Sequence, residues 1–457
     1  MNRMLLKNAL IVTKDDMFQG DLEIENGVIS AIGLCGSFRE EEETLDAAGR
    51  MVIPGLIDPH VHIKHPFKGT FSADDFYTAT RSAIYGGVTS VIDFAIQWNK
   101  DLSLQETVEN RKAAFAGESM TDYAVHACPT KSSIETIEEL PRIIEEGTPS
   151  FKLYMTYSKQ GRMSDDALLL KALEETARHP SIIGVHAEND AICCFNDDEF
   201  KRKGYTHPQY FPLSNPNIVE AEAINRAAFF TKSTGGNLYI FHLSTREGLD
   251  ILEKERASGT RIAAETCVHY LILDDSRYQG DLGERFICSP PLRSKKDQDA
   301  LWEGIRKGTI SVISTDHCGF SKSHKALGEG AFQATPKGLP GMELRLPLIY
   351  TAGVATGKIS VNKMVELLCT NPAKIFGMYP QKGTIQVGSY ADLTLVDVDK
   401  ERTLSSNSMH SPVDWSPYEG MKLKGFATTT ILRGKVVVDE TGVKCTKGCG
   451  HFIPRKL

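Results

Sequence analysis

The segment DPHVH at 58–62 sets His60 and His62 two residues apart. On an extended chain, side chains two apart share a face, so both imidazoles can grip one ion. A pair of solvated loop histidines would read the same way. Further on, PSFKLYMTY at 149–157 alternates Phe151, Leu153 and Met155 with Ser150, Lys152, Tyr154 and Thr156. That alternation, with its aromatic residues, is the pattern of a strand. Lys152 is the anomaly, because desolvation disfavours a charged amine on a buried face. Either that face is wet or the amine does chemistry. Neutral lysine is a poor zinc ligand and ammonium is none. Addition of CO2 to Nζ gives a carbamate anion, whose two oxygens could bridge two cations as a carboxylate does. Other ligand types stand alone: His186 in GVHAEND, His242 in IFHLST and Asp316 in STDHC. Each by itself reads equally as a packed residue or, for Asp316, a helix cap.

The elements that must position these residues are legible as alternation. Eight apolar runs, at 51–58, 89–96, 122–129, 150–157, 181–188, 237–244, 261–268 and 310–317, are separated by helical stretches. Among these, SADDFYTATRSAIYGG opens with Ser72 before two acids, and both it and VEAEAINRAAFFTKSTGG end in glycines, as helix starts and stops should. Strand and helix in alternation predict an α/β fold, a (β/α)8 TIM-type barrel over 51–384, although an open doubly wound sheet has the same strand pattern. In such barrels the active site sits at the C-terminal ends of the strands. His60 and His62 follow the first run, His186 and His242 lie near the ends of the fifth and sixth, and Asp316 ends the eighth. That shared end points to one metal site. Short alternating strands at both chain ends, 1–50 and 385–457, predict one small β-sandwich domain closed from both termini.

Bulk properties narrow the class. The chain has 457 residues, is 41% hydrophobic and 24% charged, and carries a net charge of −7. The negative balance argues against a nucleic-acid partner and supplies no basic face for a membrane. No apolar run reaches the ~18 residues that a bilayer span needs. The opening MNRMLLKNALIVTKDD is too briefly apolar for a signal peptide. Ten scattered cysteines without a CxxC framework read as reduced thiols in a cytoplasmic protein. Cys445 and Cys449 could begin a zinc knuckle, but two ligands do not close a site.

Taken in order, PGLIDPHVH, the SFKLYMTY lysine, GVHAEND, IFHLST, ETCVHYLILDDS, FICSPPLR and STDHC follow one another as in the cyclic amidohydrolases. More narrowly, the chain resembles the hydantoinase/dihydropyrimidinase group over nearly its whole length, YEGMKLKG near the end included. The resemblance implies a hydrolase that opens the cyclic amide of hydantoins or dihydropyrimidines to N-carbamoyl amino acids. It implies two divalent metal ions, usually zinc. His60, His62 and Asp316 would hold one, His186 and His242 the other, and carboxylated Lys152 would bridge both. Hydroxide would be the nucleophile and Asp316 its proton acceptor. Tyr157 would stabilise the oxyanion, and Ser289 would bind the cyclic amide largely through its backbone. A homo-oligomer, commonly a tetramer, is implied as well. Two positions depart from the group. Lys337-Gly338 stands where Asn-Gly is frequent, at a backbone contact to substrate. Lys64 stands two residues after His62, where an acid is frequent in hydantoinases and an arginine in dihydroorotases. Lys64 could therefore hold an anionic substituent on the ring; otherwise specificity falls to Tyr154 and the loops around it. An allantoinase-like or dihydroorotase-like amidase shares the same chemistry. A non-catalytic scaffold relative would have lost metal ligands, and this chain keeps all of them.

Overall fold

A computed structural model describes residues 3–41 and 43–457. Eight parallel strands form its central sheet: β1 (Leu56–Val61), β2 (Val88–Ile96), β3 (Asp122–Cys128), β4 (Ser150–Tyr154), β5 (Ile182–His186), β6 (Leu238–Ile240), β7 (Ile262–Cys267) and β8 (Val312–Ser314). They pair in chain order from β1 to β8. A parallel bridge between Val61 and His317 draws the two edges together, so the sheet is a near-closed barrel. Its strands read as near-continuous apolar runs because helices cover the outer face and side chains fill the inner one. Phe151 and Leu153 on β4 pack outward among Leu140, Ile143 and Leu168. Lys152 and Tyr154 turn inward with Phe94 and Phe241.

The seam between β1 and β8 carries its own polar stitching. Thr315 Oγ1 donates to Asp58 Oδ2 at 2.7 Å. Arg345, fully buried, donates from Nη1 to the carbonyls of Ile57 at 2.9 Å and Ile313 at 3.1 Å. One guanidinium nitrogen shared between carbonyls of both edge strands bridges the seam where ladder bonds are few.

The helix Phe76–Tyr85 begins later than the sequence suggests. Its cap is Asp75, in a reciprocal box with Thr78. Ser72 instead accepts from the His65 amide at 2.9 Å and pins the loop after β1. The helix Asn217–Thr234 does end on Gly235, whose φ of +72° is the left-handed conformation that glycine adopts without strain.

The nine strands of the second sheet come from both chain ends; eight share one hydrogen-bonded path and the ninth, Glu43–Asp46, pairs beside it with Arg3–Val12, around a core of Leu6, Ile11, Leu22, Ile24, Val52, Leu393 and Ile431. Two segments lie across the division read from the sequence. Met51–Pro54, the start of the first apolar run, pairs in this second sheet with Arg3–Val12 and Leu393–Asp397. The chain changes sheets at Gly55, where any Cβ would run into the Thr89 side chain. The segment 449–456 leaves the second sheet and crosses the N-terminal end of the barrel. There Tyr123 donates to the His451 carbonyl at 2.9 Å, and Ile453 donates to the Tyr123 carbonyl at 2.8 Å.

A buried charge cluster ties the two sheets together. Lys382 Nζ donates to Asp122 Oδ2 at 2.8 Å and also to Asp392, while Arg433 reaches Asp122 from the other side. Removing one member of such a network leaves uncompensated charge in a low-dielectric interior. Lys382→Met should therefore lower unfolding stability by about 3–5 kcal/mol in denaturant titration. A loss under about 1 kcal/mol would show that water reaches the cluster.

Candidate active site

The inward residues of β1, β4, β5, β6 and β8 converge at the C-terminal end of the barrel. His60 Nε2 and His62 Nε2 both approach Asp316 Oδ1, at 3.0 and 3.2 Å. Lys152 Nζ lies 3.0 Å from His60 Nε2. The imidazoles of His186 and His242 stand edge to face at 4.5 Å, and His242 lies 5.4 Å from His60. All six residues named as metal ligands from the sequence thus surround one space. His242 and Asp316 sit just past the ends of β6 and β8 with φ of +40° and +46°. Side chains rarely tolerate that backbone, and its use here turns both residues back over the barrel axis.

Protonation follows from burial and neighbours. Burial pushes the His62 imidazole down to about 3. It also holds His186 below and His242 well below the ordinary histidine value. These rings are neutral at pH 7 and offer lone pairs. Burial, aided by the neighbouring Lys152 charge, pulls His60 down too, but Asp316 and Glu265 outweigh both and raise it. Burial pushes the Asp316 carboxyl up, yet the adjoining His60 and His62 hold it well below the usual range. Lys152 is 1% exposed, and burial lowers its pKa. Its nitrogen faces the rings of Phe94 at 4.3 Å and Phe241 at 4.6 Å, and among the described residues no carboxylate is hydrogen-bonded to it.

These groups fit metal ions. Two ring nitrogens and a carboxylate oxygen converge on one point, and His60, His62 and Asp316 form a group that could hold a cation. Among the described residues, His242 Nδ1 is buried without a hydrogen-bond partner. A second group, His60, Glu265 and Cys267, has its atoms otherwise engaged. Glu265 accepts from His60 Nδ1, from Tyr239 OH at 2.9 Å and from the His242 amide at 3.2 Å. Cys267 Sγ lies 3.3 Å from Ser314 Oγ.

A cavity of about 380 Å³ opens from these residues, walled further by Tyr154, Tyr157, Ser289, Lys337 and Gly338. Tyr157 has left the strand, which ends at Tyr154, and its φ of +75° swings the ring back over His186 at 5.0 Å. Burial keeps its hydroxyl protonated, and it donates to Ser289 Oγ at 3.0 Å. Ser289 in turn donates to Glu188 Oε2 at 3.0 Å. Glu188 also lies 2.8 Å from His186 Nε2 and accepts from Asn215 at 2.9 Å; burial opposes its charge, but His186 wins and holds the carboxyl at about 2. Tyr154 OH is buried and unpartnered. Lys64 stands apart. It is exposed, lies 5.7 Å over the Phe71 ring, and does not wall the cavity.

Residues 51–437 match the Amidohydrolase family. The chain belongs to that family. The amidohydrolase is 42% identical to a D-hydantoinase of Ralstonia pickettii, covering 99% of this chain and 98% of that protein. It is 38% identical to a D-phenylhydantoinase of Escherichia coli over the same share of each. Among solved structures, a dihydropyrimidinase from Brevibacillus agri superposes with a TM-score of 0.97 at 35% identity, covering 100% of this chain and 99% of that one. An L-hydantoinase (dihydropyrimidinase) from Arthrobacter aurescens superposes at 0.92 with 30% identity, covering all of both chains.

Reading the amidohydrolase from its sequence overlooked Glu265, Glu188, Tyr239 and Arg162. Glu265 was findable, since an acid inside the apolar run RIAAETCV is as anomalous as Lys152. Its carboxylate fixes the His60 tautomer and so aims Nε2 at the site. Such a partner typically contributes 10–100-fold to metal affinity. Glu265→Gln should lower divalent-ion affinity by about that factor, read by elemental analysis after graded chelation. Unchanged retention would leave Glu265 a packing residue.

Proposed function

We propose that this amidohydrolase opens the ring amide of hydantoins or dihydropyrimidines to give N-carbamoyl amino acids. The observation that carries the reading is the convergence of four histidines, Lys152 and Asp316 opposite the Tyr157–Ser289 pair, in a chain similar end to end to D-hydantoinases. His60, His62 and Asp316 would hold one divalent ion, His186 and His242 another, and Lys152 would bridge them as a carbamate. Burial, which lowers the Lys152 pKa from the ordinary lysine value, supports this last assignment, because only the neutral amine adds CO2. When bound, two such cations supply charge that acidifies water and polarises the scissile carbonyl.

The side chains then divide the work. Asp316, ionised at neutral pH, accepts the proton of the attacking water and returns it to the departing ring nitrogen. Tyr157, kept protonated by burial, donates to the oxygen that becomes negative in the transition state. Ser289, fixed between Tyr157 and Glu188, holds the ring amide, and the backbone at Lys337-Gly338 faces the same space. An imidazole-rich donor set suits zinc. Ten free cysteines among the described residues fit a cytoplasmic setting, and no helix there is long and apolar enough to cross a membrane. The resemblance carries a homotetramer with it. Intact ligands weigh against a scaffold role.

A panel of cyclic ureides and imides, followed by ring opening, tests the reading directly. The purified protein should carry close to two divalent ions per chain. Full activity after exhaustive chelation would end the proposal. Lys152→Ala should lose metal and activity together, with partial recovery in short-chain carboxylic acids. Tyr157→Phe should lower kcat by about a hundredfold or more at unchanged metal content. A near-normal kcat would assign oxyanion stabilisation elsewhere.

A further inference from the structure

The cavity wall is unbalanced in charge. Beyond the buried Lys152, its cations are Lys68, Arg162 and Lys337, and its one carboxylate is Asp316. Asp316 is committed to His60 and His62. Among the described residues, no carboxylate comes within 4.0 Å of any of the three outer cations. In a chain with net charge −7, cations without carboxylate partners in a concave wall call for an explanation.

Arg162 shows how the loop is built to present one. Residues 157–162 fold back on themselves: the Gln160 and Arg162 amides both donate to the Tyr157 carbonyl, at 3.0 and 3.2 Å, and Gly161 takes φ of +69°. Ser158 anchors the turn, its amide donating to Asp190 at 3.0 Å. The two cations of this loop are then sorted. Lys159 points out and pairs with Asp198 at 2.7 Å. Arg162 points in, its guanidinium 4.4 Å over the Tyr157 ring and 5.2 Å from Trp98. Its one polar acceptor is the neutral Gln160 amide, and its Nε is buried without a partner. Lys337 comes to 6.0 Å from the Tyr157 ring centroid. Glu188 attracts Lys337 through space, but its oxygens are taken by His186, Ser289 and Asn215.

We infer that the cavity selects rings whose exocyclic side chain ends in a carboxylate, with Arg162 and Lys337 as its recognition pair; this rests on the ring-opening reading above. A ring whose amide lies at Ser289 and Asp316 extends its substituent past Tyr157, whose ring both cations face from the cavity wall. A guanidinium stacked on aromatic rings is already oriented, and its fork matches a carboxylate in two parallel hydrogen bonds. The role first considered for Lys64 passes to Arg162, which the turn after β4 brings to the wall that Lys64 does not reach.

The test compares 5-(2-carboxyethyl)hydantoin with its primary amide, equal in shape and different in charge. The parent should favour the acid in kcat/KM by about tenfold or more, with the preference shrinking as salt rises. Arg162→Met and Lys337→Met should each reduce the acid-to-amide ratio by about tenfold, mostly through KM, and Arg162→Lys should keep much of it. Trp98, 46% exposed beside Arg162, gives a second readout, since its emission should titrate at lower concentration with the acid than with the amide. A parent that opens the amide as well as the acid overturns the inference. So does an unchanged ratio in Arg162→Met, which would mean that the cations serve the carboxylate both rings release. Failure to open either ring sinks the ring-opening reading itself, and this inference with it.

Discussion

A lysine amine without a carboxylate partner, held inside a barrel of apolar strands, sets the terms for the rest of this site. Lys152 is buried against aromatic faces and one imidazole. Ammonium is costly there, because burial disfavours the charged form. The neighbouring groups are arranged around that fact. Rings of His62, His186 and His242 stay neutral, and Asp316 is the ionised carboxylate that the opposing charges stabilise. Neutral imidazoles and one ionised carboxylate around a common space make a donor set suited to cations. Glu265 and Glu188 sit just behind it and orient the rings that would receive them.

Bringing these groups together depends on closing the barrel at β1 and β8. Asp58, Thr315 and Arg345 join the edges where the ladder is thin. Once joined, His60 and His62 from one strand face Asp316 from the other. His242, Asp316 and Tyr157 all use left-handed backbone, at a cost of about 1–3 kcal/mol each. The surrounding core sustains that cost at these three residues of the site.

Much of this was legible in the residues. All eight barrel strands lie within or against apolar runs, because parallel strands covered on both faces need no polar alternation. The six ligand types were visible as polar intrusions at the ends of those runs or within them. Met51–Pro54 was not separable from β1, since an unbroken apolar run does not mark the point where a chain changes sheets. Asp75 rather than Ser72 caps its helix, a choice among adjacent capping residues that tertiary contact with His65 decides. The parity of Tyr157, opposite to that of Lys152, already placed it in the loop after the strand and turned toward the site, but left-handed turns at non-glycine residues leave no local signature, so the inward aim of Arg162 could not be read. Lys64 looked nearer to the site along the chain than it is in space.

The segment 449–456 crosses the N-terminal end of the barrel, hydrogen-bonded to Tyr123, Gly147 and Gly377. Synthesis runs from the N-terminus, and domains generally fold as units in that order. Here that order fails, since strands β1 to β8 emerge from the ribosome long before the residues that floor them. The nascent barrel therefore waits with Tyr123 and Val125 backbone groups unpaired at its base, and Asp122 waits for Arg433. Completion of the barrel floor is thus tied to translation reaching the C-terminal segment, and a chain stopped before residue 449 lacks these partners.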